Sequence, residues 1–282
     1  MSLEGKIGVI TGGGRGIGRA IALDFAKNGA NVVIAARTVT EIDKVADEVR
    51  ALGRKALAIP TDMTQESSIK NLMTKSEAKF GKIDILVNNA GVSGPAFVMD
   101  MKTEDWDRII NVNLRGVFIA SREVLKIMKD QKSGRVISIS SGFGIEGQPT
   151  LSAYGASKAG VIRFSDALSK ELRWLKVYVI NPGLIDTKLA EQAPGEKTSP
   201  DIIGPIASFL ASDQCKVPSG TVVKRLQLDA LKEIISPLLK GKTYTDWKTI
   251  YQEMKPNLGH KIIRNIEKYK KMIPFLIKDY RK

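Results

Sequence analysis

Residues 6–27 read KIGVITGGGRGIGRAIALDFAK, and this stretch decides the fold class. The apolar run over residues 6–11 predicts a short buried strand, and the residues after the glycines have the periodicity of a helix. The glycines are spaced Gly12-x-x-x-Gly16-x-Gly18, and no Lys-Ser or Lys-Thr pair follows them, which excludes a Walker loop. A glycine-rich turn between a strand and a helix lets backbone amides approach a phosphate. The stretch therefore predicts a nucleotide-binding βα unit.

Strands and helices alternate along the chain as far as residue 223. Strands are predicted over residues 31–36, 56–60, 83–88, 135–140, 176–181 and 220–223. Helices are predicted between them over residues 41–51, 65–80, 103–129, 152–174 and 201–211. Such alternation is typical of βαβ units and a parallel sheet. We therefore expect an α/β domain over residues 1–225: a Rossmann-type, doubly wound parallel sheet of about seven strands with helices on both faces.

The sequence changes character after the last predicted strand. Residues 226–282 carry three stripes of apolar residues at helical spacing, interrupted by Pro237 and Pro256. Residues 240–282 hold twelve basic and four acidic residues, which supplies eight of the net charge of +14. We expect a basic, amphipathic helical extension that packs at a subunit interface and over a pocket mouth, with an anionic membrane surface as the alternative.

Composition excludes several classes of protein. Hydrophobic residues make up 43% of the 282 residues, which is ordinary for a globular protein. The single cysteine, Cys215, excludes an intramolecular disulfide, and no apolar run approaches the roughly 18 residues of a membrane-spanning helix. Without a signal-peptide pattern at the start, we expect a cytoplasmic protein with no stable membrane insertion. The basic surplus lacks a zinc finger or RNA-recognition motif, so we expect no nucleic-acid partner.

Tyr154 and Lys158 form a chemically suggestive pair within the predicted helix 152–174. A spacing of four places the phenol and the ammonium on one helical face. A nearby ammonium favours the phenolate and so lowers a phenol's pKa from about 10. Ser141 follows a predicted buried strand, and open α/β sheets bind ligands at the carboxyl ends of their strands. These three residues suggest a proton donor, its activator and a polarising hydroxyl; an ordinary surface Tyr and Lys is the alternative.

Several motifs occur together and in a fixed order. They are Thr11-Gly-x-x-x-Gly-x-Gly18, Asn88-Asn-Ala-Gly91, Asn113, Ser141, Tyr154-x-x-x-Lys158, and Asn181-Pro-Gly183 with Thr187. This ordered set, over about residues 5–223, resembles the short-chain dehydrogenase/reductase family. The resemblance implies hydride transfer between a nicotinamide cofactor and a carbonyl or alcohol, and it implies a homodimer or homotetramer. Because of this resemblance, we expect Tyr154 and Lys158 to be a functional pair and not a chance occurrence.

The resemblance implies a role for each motif residue. Tyr154 would be the general acid and base, Lys158 would lower its pKa and hold the nicotinamide ribose, and Ser141 would bond the substrate oxygen. Asn113 would hold a water in the proton relay, or alternatively only kink its helix. Contacts to the cofactor are implied for Gly12, Gly16, Ile17, Gly18, Asp62, Met63, Asn89, Ala90, Gly91, Tyr154, Lys158, Pro182, Gly183 and Thr187. Asp62 would contact the adenine, with a simple turn residue as the alternative.

Two arginines determine which nicotinamide cofactor we expect. The second predicted strand ends in Ala36-Arg37-Thr38, without the acidic residue that NAD-specific proteins of this type place there. Arg15, inside the glycine turn, reaches the same region. Two guanidiniums and a hydroxyl suit a 2′-phosphate. We therefore expect NADP(H) to be preferred and NAD(H) to be possible, with no metal, since no His, Cys and acidic residues have metal-ligand spacing.

Several other functions compete with carbonyl reduction. The different-class alternative is a catalytically silent NADP(H) sensor or scaffold, and an NAD-dependent alcohol dehydrogenase is the alternative within the fold. A serine hydrolase is disfavoured because Ser141 lacks a Gly-x-Ser-x-Gly context and the only histidine is His260. Enoyl reductases usually space their Tyr and Lys further apart. Ketoreductases of acyl carrier protein usually end in an Asp-Gly-Gly-like tail, where this chain has Lys224-Arg-Leu.

The loops expected around the substrate are mostly apolar. Their side chains are Phe143, Ile145, Gln148, Leu151, Leu184 and Leu189. This set predicts a small, moderately hydrophobic carbonyl or alcohol substrate. The segment 189–200 contains Gly195 and two prolines, and we expect it to act as a mobile lid.

Overall fold

The computed structural model describes residues 2–191 and 193–225. Its seven strands are β1 (Ile7–Thr11), β2 (Asn31–Ala36), β3 (Ala56–Pro60), β4 (Ile85–Asn88), β5 (Gly134–Ile139), β6 (Leu175–Asn181) and β7 (Thr221–Lys224). Its α-helices are α1 (Gly16–Lys27), α2 (Val39–Ala51), α3 (Glu66–Phe80), α4 (Thr103–Ile110), α5 (Gly116–Gln131), α6 (Ser152–Glu171) and α7 (Ile203–Ala211). The predicted extension 226–282 lies outside the described residues, so the domain boundary at residue 225 stays a prediction.

The seven strands form one parallel sheet in the order β3-β2-β1-β4-β5-β6-β7. The inner strands are buried on both faces: Ile10 belongs to a buried cluster with α1, α2 and α7, and Val9 belongs to a second cluster with α3, α5 and α6. Unbroken apolar strands covered on both faces are typical of parallel sheets. The expected Rossmann-type fold is therefore confirmed. None of the described helices is long and apolar enough to cross a membrane.

The strand order reverses between β1 and β4, because β1 pairs with β2 on one side and with β4 on the other. At such a reversal the connecting helices leave towards opposite faces, and a crevice opens beyond the carboxyl ends of the strands. The glycine-rich turn follows β1 and the Asn88–Gly91 motif follows β4, so both lie at this crevice.

The prediction of one long helix over residues 103–129 is wrong in one respect. The chain forms α4, then a π-helical segment over Asn111–Arg115, and only then α5. Periodicity does not reveal this interruption, because its cause is a contact with a distant loop, described below. Four other helices differ at their ends: α2 begins at Val39 and α3 at Glu66, α6 stops at Glu171, and a 3₁₀ turn over Pro200–Ile202 precedes α7.

Candidate active site

Neighbouring atoms surround two glycines of the turn so closely that a side chain at either position would collide with them. A Cβ on Gly18 would collide with the carbonyl oxygen of Gly12, and a Cβ on Gly12 would lie 2.8 Å from the Cα of Ala90. Gly12 also has a φ of +65°, in the left-handed region that favours glycine. The side chain of Arg15, the residue before α1, makes no capping hydrogen bond to the backbone amides in the first turn of the helix. This cradle fits a phosphate group held at the start of a helix.

The Asn88–Gly91 motif ties β1 to β4. The Asn89 side chain donates from Nδ2 to the carbonyl oxygens of Thr11 at 3.0 Å and Gly12 at 2.9 Å. In return, the Thr11 hydroxyl oxygen accepts from the backbone amides of Asn89 at 3.1 Å and Ala90 at 3.2 Å. These bonds brace the two central strands against each other and fix the crevice between the two halves of the sheet.

Tyr154 and Lys158 both lie on the buried face of α6, with 9% and 4% of their surfaces exposed. The Lys158 Nζ donates to the carbonyl oxygen of Ile139 at 2.9 Å and lies 5.7 Å from the centroid of the Tyr154 ring. The Ser141 hydroxyl lies beside the phenol of Tyr154 and lowers its pKa. The structure therefore brings together the hydroxyl, the phenol and the ammonium that the sequence singles out.

Two glycines allow the Ser141 loop to reach α6. A 3₁₀ turn over Gly142–Gly144 follows Ser141, and a Cβ on Gly144 would lie 2.7 Å from the carbonyl carbon of Lys158. A Cβ on Gly155 would lie 2.9 Å from the carbonyl oxygen of Phe143. Any side chain at either position would push the loop away from the helix. The two glycines are therefore what permits the contact between Ser141 and Tyr154.

Burial controls the pKa values of this pair. It raises the pKa of Tyr154 above that of a free phenol, while the hydrogen bond from Ser141 acts in the opposite direction. Burial lowers the pKa of Lys158 to about 8. The ammonium points to a backbone oxygen, so the lowering of the Tyr154 pKa by Lys158 stays a prediction.

Asn113 lies fully buried in the π-helical segment and holds the loop after β4. Its Oδ1 accepts from the amide of Val92 at 2.8 Å, and its Nδ2 donates to the carbonyl of Val92 at 2.9 Å. The same Nδ2 donates to the hydroxyl of Ser157 at 3.0 Å. These bonds hold the side chain inward, which agrees with the alternative that Asn113 only kinks its helix. The water-holding role stays a prediction.

Gly91 separates Asn113 from Lys158 at the centre of the site. A Cβ built on Gly91 would lie 3.5 Å from both the Asn113 Oδ1 and the Lys158 Nζ. The loop after β4 thus passes between the two polar groups with nothing larger than a hydrogen atom on its Cα. This arrangement agrees with a backbone segment lying along a bound cofactor.

Asp62 and Met63 follow β3. The Oδ1 of Asp62 accepts from both the amide and the hydroxyl of Thr64 at 2.8 Å, which is what a turn residue does. Met63 is buried, and its carbonyl oxygen would lie 2.8 Å from a Cβ on Gly116. The contact between Asp62 and an adenine stays a prediction.

Arg15, Arg37 and Thr38 are exposed around the carboxyl end of β2. Arg15 forms an ion pair with Glu41, at 3.0 Å between Nη1 and Oε1. The sequence analysis missed Glu41, although its place in the first turn of α2, three residues after Thr38, is a usable signal. The carboxylate holds one of the two guanidiniums that the proposed 2′-phosphate would use.

The Asn181–Gly183 motif and Thr187 lie at and after the carboxyl end of β6. Thr187 contacts the glycine turn, because its Cγ2 would lie 3.0 Å from a Cβ on Gly16. Arg225, which the sequence analysis also missed, is buried and donates from Nε to the carbonyl oxygen of Pro182 at 2.6 Å. Arg225 was not predicted because it lies far from the motif along the chain. Among the described residues, no three His, Cys, Asp or Glu side chains are arranged to hold a metal ion.

Comparison with known proteins places this geometry in a family. Residues 6–197 match the short chain dehydrogenase family. The chain is 37% identical over 238 residues to the 3-oxoacyl-(acyl-carrier-protein) reductase FabG of Thermotoga maritima, which covers 79% of this chain and 97% of that protein. It is also 37% identical over 235 residues to FabG of Escherichia coli, which covers 78% and 95%.

Solved structures agree with this match. A short-chain type dehydrogenase/reductase from Mycobacterium marinum superposes with a TM-score of 0.75 at 32% identity, over 79% of this chain and 94% of that one. Levodione reductase superposes with a TM-score of 0.75 at 27% identity, over 78% and 96%.

Proposed function

Because the chain belongs to the short chain dehydrogenase family, we propose that it is an NADP(H)-dependent oxidoreductase that interconverts a carbonyl and an alcohol. The observation that carries this proposal is that the half-buried Ser141 lies beside the buried Tyr154, one helical turn from the buried Lys158. A silent sensor or scaffold would have no need to keep an acid, a polarising hydroxyl and an ammonium together in a buried site.

The proposed chemistry divides the work between the cofactor and the chain. When bound, the reduced nicotinamide supplies the hydride that forms the new C–H bond at the carbonyl carbon. Tyr154 gives its phenolic proton to the carbonyl oxygen, and Ser141 donates a hydrogen bond to that oxygen. The same phenol takes the proton back when an alcohol is oxidised.

The residues that would hold the cofactor line the crevice in order. The amides of the Gly12–Gly18 turn would bind the phosphates, and Lys158 would bond the nicotinamide ribose. Pro182, Gly183 and Thr187 would hold the carboxamide end. The contact between Gly16 and Thr187 supports this order, because it joins the phosphate turn to the nicotinamide side.

The relatives suggest the substrate class to test first. Several are named 3-oxoacyl-acyl-carrier-protein reductases, and they match almost along their whole length. We therefore propose a 3-oxoacyl thioester, which is a moderately hydrophobic carbonyl compound. The absence of the expected Asp-Gly-Gly-like tail, which argued against this class in the sequence, concerns only the end of β7 and leaves the catalytic residues unchanged.

A carbonyl panel tests this proposal. We expect absorbance at 340 nm to fall when the full-length protein, NADPH and a 3-oxoacyl thioester are mixed, with cyclic ketones and aldehydes tested in parallel. Tight NADPH binding without consumption of any carbonyl would support the sensor alternative. Turnover of ketones but not of thioesters would retain the reaction and reject the substrate class.

The proposed assembly is a homodimer or homotetramer. Phe118 on α5 is 44% exposed and meets Phe164 of α6 edge to face, with the ring centroids 6.3 Å apart. The Arg122 guanidinium lies 5.4 Å from the Phe118 ring centroid. An exposed aromatic side chain on a helix surface suits burial against a second copy. Native mass spectrometry of the full chain measures the copy number.

Substitution of Arg37 tests the cofactor preference. We expect Arg37→Ala to weaken NADPH binding about 10- to 100-fold and leave NADH binding unchanged, since a charge-assisted bond to a 2′-phosphate contributes about 1.5–3 kcal/mol. Glu41→Gln should strengthen NADPH binding, because Arg15 is then released from its ion pair. Titration of intrinsic fluorescence gives both dissociation constants.

Arg50→Ala provides the matched control. Arg50 is also exposed and lies at the far end of α2, where it pairs with Asp47 at 2.6 Å. This variant should bind both cofactors as the unmodified protein does. Equal losses of NADPH and NADH affinity in Arg37→Ala would contradict the preference.

A further inference from the structure

The chain that leads into α6 contains a tight turn over residues 148–151. The amide of Leu151 donates to the carbonyl oxygen of Gln148 at 3.1 Å, which closes the turn. Pro149 occupies its second position, and Thr150, with a φ of +66°, occupies its third. A hydrogen-bonded turn with proline second and a positive φ third is a type II turn. Glycine or asparagine is the usual residue at that third position, whereas this chain has a threonine.

Thr150 is held in a strained backbone conformation. In the left-handed region the Cβ of an L-residue comes too close to the following carbonyl oxygen, and a side chain branched at Cβ makes this conformation a clear outlier. Of the residues that the structure describes, only Thr150 and Lys132 combine a positive φ with a side chain. Strain of this kind persists where the surrounding structure holds the residue in place, and it is concentrated at functional sites.

Two backbone contacts and a proline ring hold the turn. The closing hydrogen bond between Leu151 and Gln148 is the first contact. The second is a bond from the amide of Ala96 to the carbonyl oxygen of Thr150 at 2.9 Å, which anchors the turn to the loop after β4. The ring of Pro149 fixes the φ of the residue before Thr150. These constraints keep the threonine in a conformation that it would otherwise leave.

The turn determines where α6 begins. Leu151, its last residue, precedes the helix with a non-helical backbone (φ −109°, ψ +30°) and gives no side-chain capping bond. The carbonyl oxygen of Leu151 accepts from the amide of Gly155 at 2.7 Å, which closes the first turn of the helix. Tyr154 immediately precedes Gly155 and is the third residue of α6. The position of the phenol therefore depends on where the turn places Leu151.

The other end of the same loop carries Ser141. Residues 142–151 join Ser141 to α6, and the Ser141 hydroxyl lies beside the phenol of Tyr154. The start of this loop is fixed against the helix by the close approach of Gly144 to the backbone of Lys158. The turn is the connection that remains between this fixed start and α6. Its conformation therefore determines where Tyr154 lies relative to Ser141.

Threonine and glycine would hold this turn in different ways. Glycine populates the positive φ region without strain, but it populates a wide range of other conformations as well. Steric contacts leave a residue with a side chain only a small left-handed region, with φ of about +50 to +70°. The φ of Thr150 falls inside that region. A glycine here would thus make the fold more stable and the turn less well defined.

We propose that Thr150 is a positioning residue, whose strained and narrowly confined backbone fixes the turn 148–151 and thereby holds the Tyr154 phenol beside Ser141. Thr150 acts through its backbone conformation and not through its hydroxyl group. The statement that this position serves proton transfer to a carbonyl oxygen rests on the proposed function.

Thr150→Gly distinguishes positioning from a merely structural role, because its two effects have opposite signs. Relief of the strain should raise the Tm of the full-length protein by about 2–4 °C. The less defined turn should lower kcat by about 3- to 30-fold, since a catalytic group misplaced by about 1 Å can lose on the order of 100-fold. The KM for NADPH should stay unchanged. A lower Tm, or a kcat equal to that of the unmodified protein, would overturn the proposal.

Lys132→Gly is the matched control. Lys132 has a φ of +48° at the end of α5, is exposed, and precedes β5 at the edge of the sheet opposite to Ser141. This variant should also raise the Tm, because it relieves strain of the same kind, and it should keep the kcat of the unmodified protein. An equal fall of kcat in Lys132→Gly would show that added stability by itself slows turnover, which would contradict the role of Thr150.

Thr150→Val separates the backbone from the hydroxyl group. Valine keeps the branch at Cβ, and with it the narrow left-handed region, but it has no hydroxyl. We expect this conservative variant to retain most of the rate that Thr150→Gly loses. A loss as large as that of the glycine variant would assign the effect to the hydroxyl and reject the backbone role.

A spectroscopic measurement tests the positioning without turnover. Full-length protein labelled with carbon-13 at the tyrosine Cζ gives signals from its six tyrosines, and Tyr154→Phe identifies that of Tyr154. Because the Ser141 hydroxyl lowers the pKa of this phenol, Ser141→Ala marks the chemical shift without that neighbour. We expect the Tyr154 signal of Thr150→Gly to move towards that of Ser141→Ala, and the signal of Thr150→Val to stay in place.

The two kinds of measurement distinguish the positioning from the proposed function. An unchanged Tyr154 signal in Thr150→Gly would overturn the positioning whatever the rates are. A signal that moves as expected, in a protein that reduces no carbonyl, would leave the positioning standing and reject only the proposed function.

Discussion

Replacement of Tyr154 by phenylalanine is expected to lower turnover by about three orders of magnitude, since a positioned general acid contributes roughly 10²–10⁴-fold. The substitution removes one oxygen and keeps the ring that fills this buried position on α6. Ser141 alone leaves the developing oxyanion without a proton. The rate is measured by the absorbance of NADPH at 340 nm, and NADPH affinity, measured by fluorescence, should change by less than about threefold.

Tyr178→Phe supplies the matched control for this experiment. Tyr178 is also buried, but it lies on β6 and donates its hydroxyl to the carbonyl of Val217 at 3.2 Å. Loss of that bond should cost about 1 kcal/mol of unfolding free energy and leave turnover unchanged. If Tyr154→Phe retained most of the rate, Tyr154 would not be the acid.

Replacement of Lys158 by methionine should abolish most turnover and at the same time stabilise the protein at pH 7. Burial lowers the pKa of Lys158 to about 8, from 10.5 for an ordinary lysine. That difference corresponds to roughly 3 kcal/mol by which the folded state disfavours the ammonium. Methionine is similar in length and has no charge to bury. Thermal unfolding at pH 7 measures the gain.

The pH dependence of unfolding provides a second readout. Between pH 8 and about 10.5 the unfolded chain keeps the Lys158 proton while the folded chain loses it, so Lys158 makes stability rise with pH in this window. Below pH 8 both states are protonated and the full penalty remains. We expect the Lys158→Met variant to lack this rise.

Lys170→Met is the control for both measurements. Lys170 lies on the same helix, is exposed, and pairs with Asp166 at 3.0 Å. This variant should keep the turnover and the pH profile of the unmodified protein. If Lys158→Met were destabilised at pH 7, the buried ammonium would be a stabilising group, contrary to the argument from burial.

The strands were predictable because each is a short, mostly apolar run, and the inner ones are covered on both faces. The bounds of β2 and β3 agree with the prediction, and the other strands differ by one or two residues. The π-helical segment was not predictable from periodicity. It depends on the bonds from Asn113 to Val92, which lies 21 residues away on another loop.

The residues of the candidate site also divide into those with a signal in the local sequence and those that depend on a distant partner. The proximity of Ser141, Tyr154 and Lys158 was predictable, because the ordered set of motifs resolved the alternative that the helical spacing of four had left open. Glu41 and Arg225 were not predicted, since each matters through a partner distant in sequence: Arg15 for the first and Pro182 for the second. Spatial proximity of that kind leaves no trace in one sequence.

The crowding of the glycine-rich turn has a consequence for protein engineering. Backbone atoms surround Gly12 and Gly18 so closely that every substitution there displaces main chain. Arg37 is exposed and lies outside that constraint, whereas Glu41 is half-buried and lies against Gly14 of the turn. Redesign of coenzyme specificity in this scaffold should therefore be directed at the beginning of α2, where a library tolerates diversity, while the turn is kept invariant.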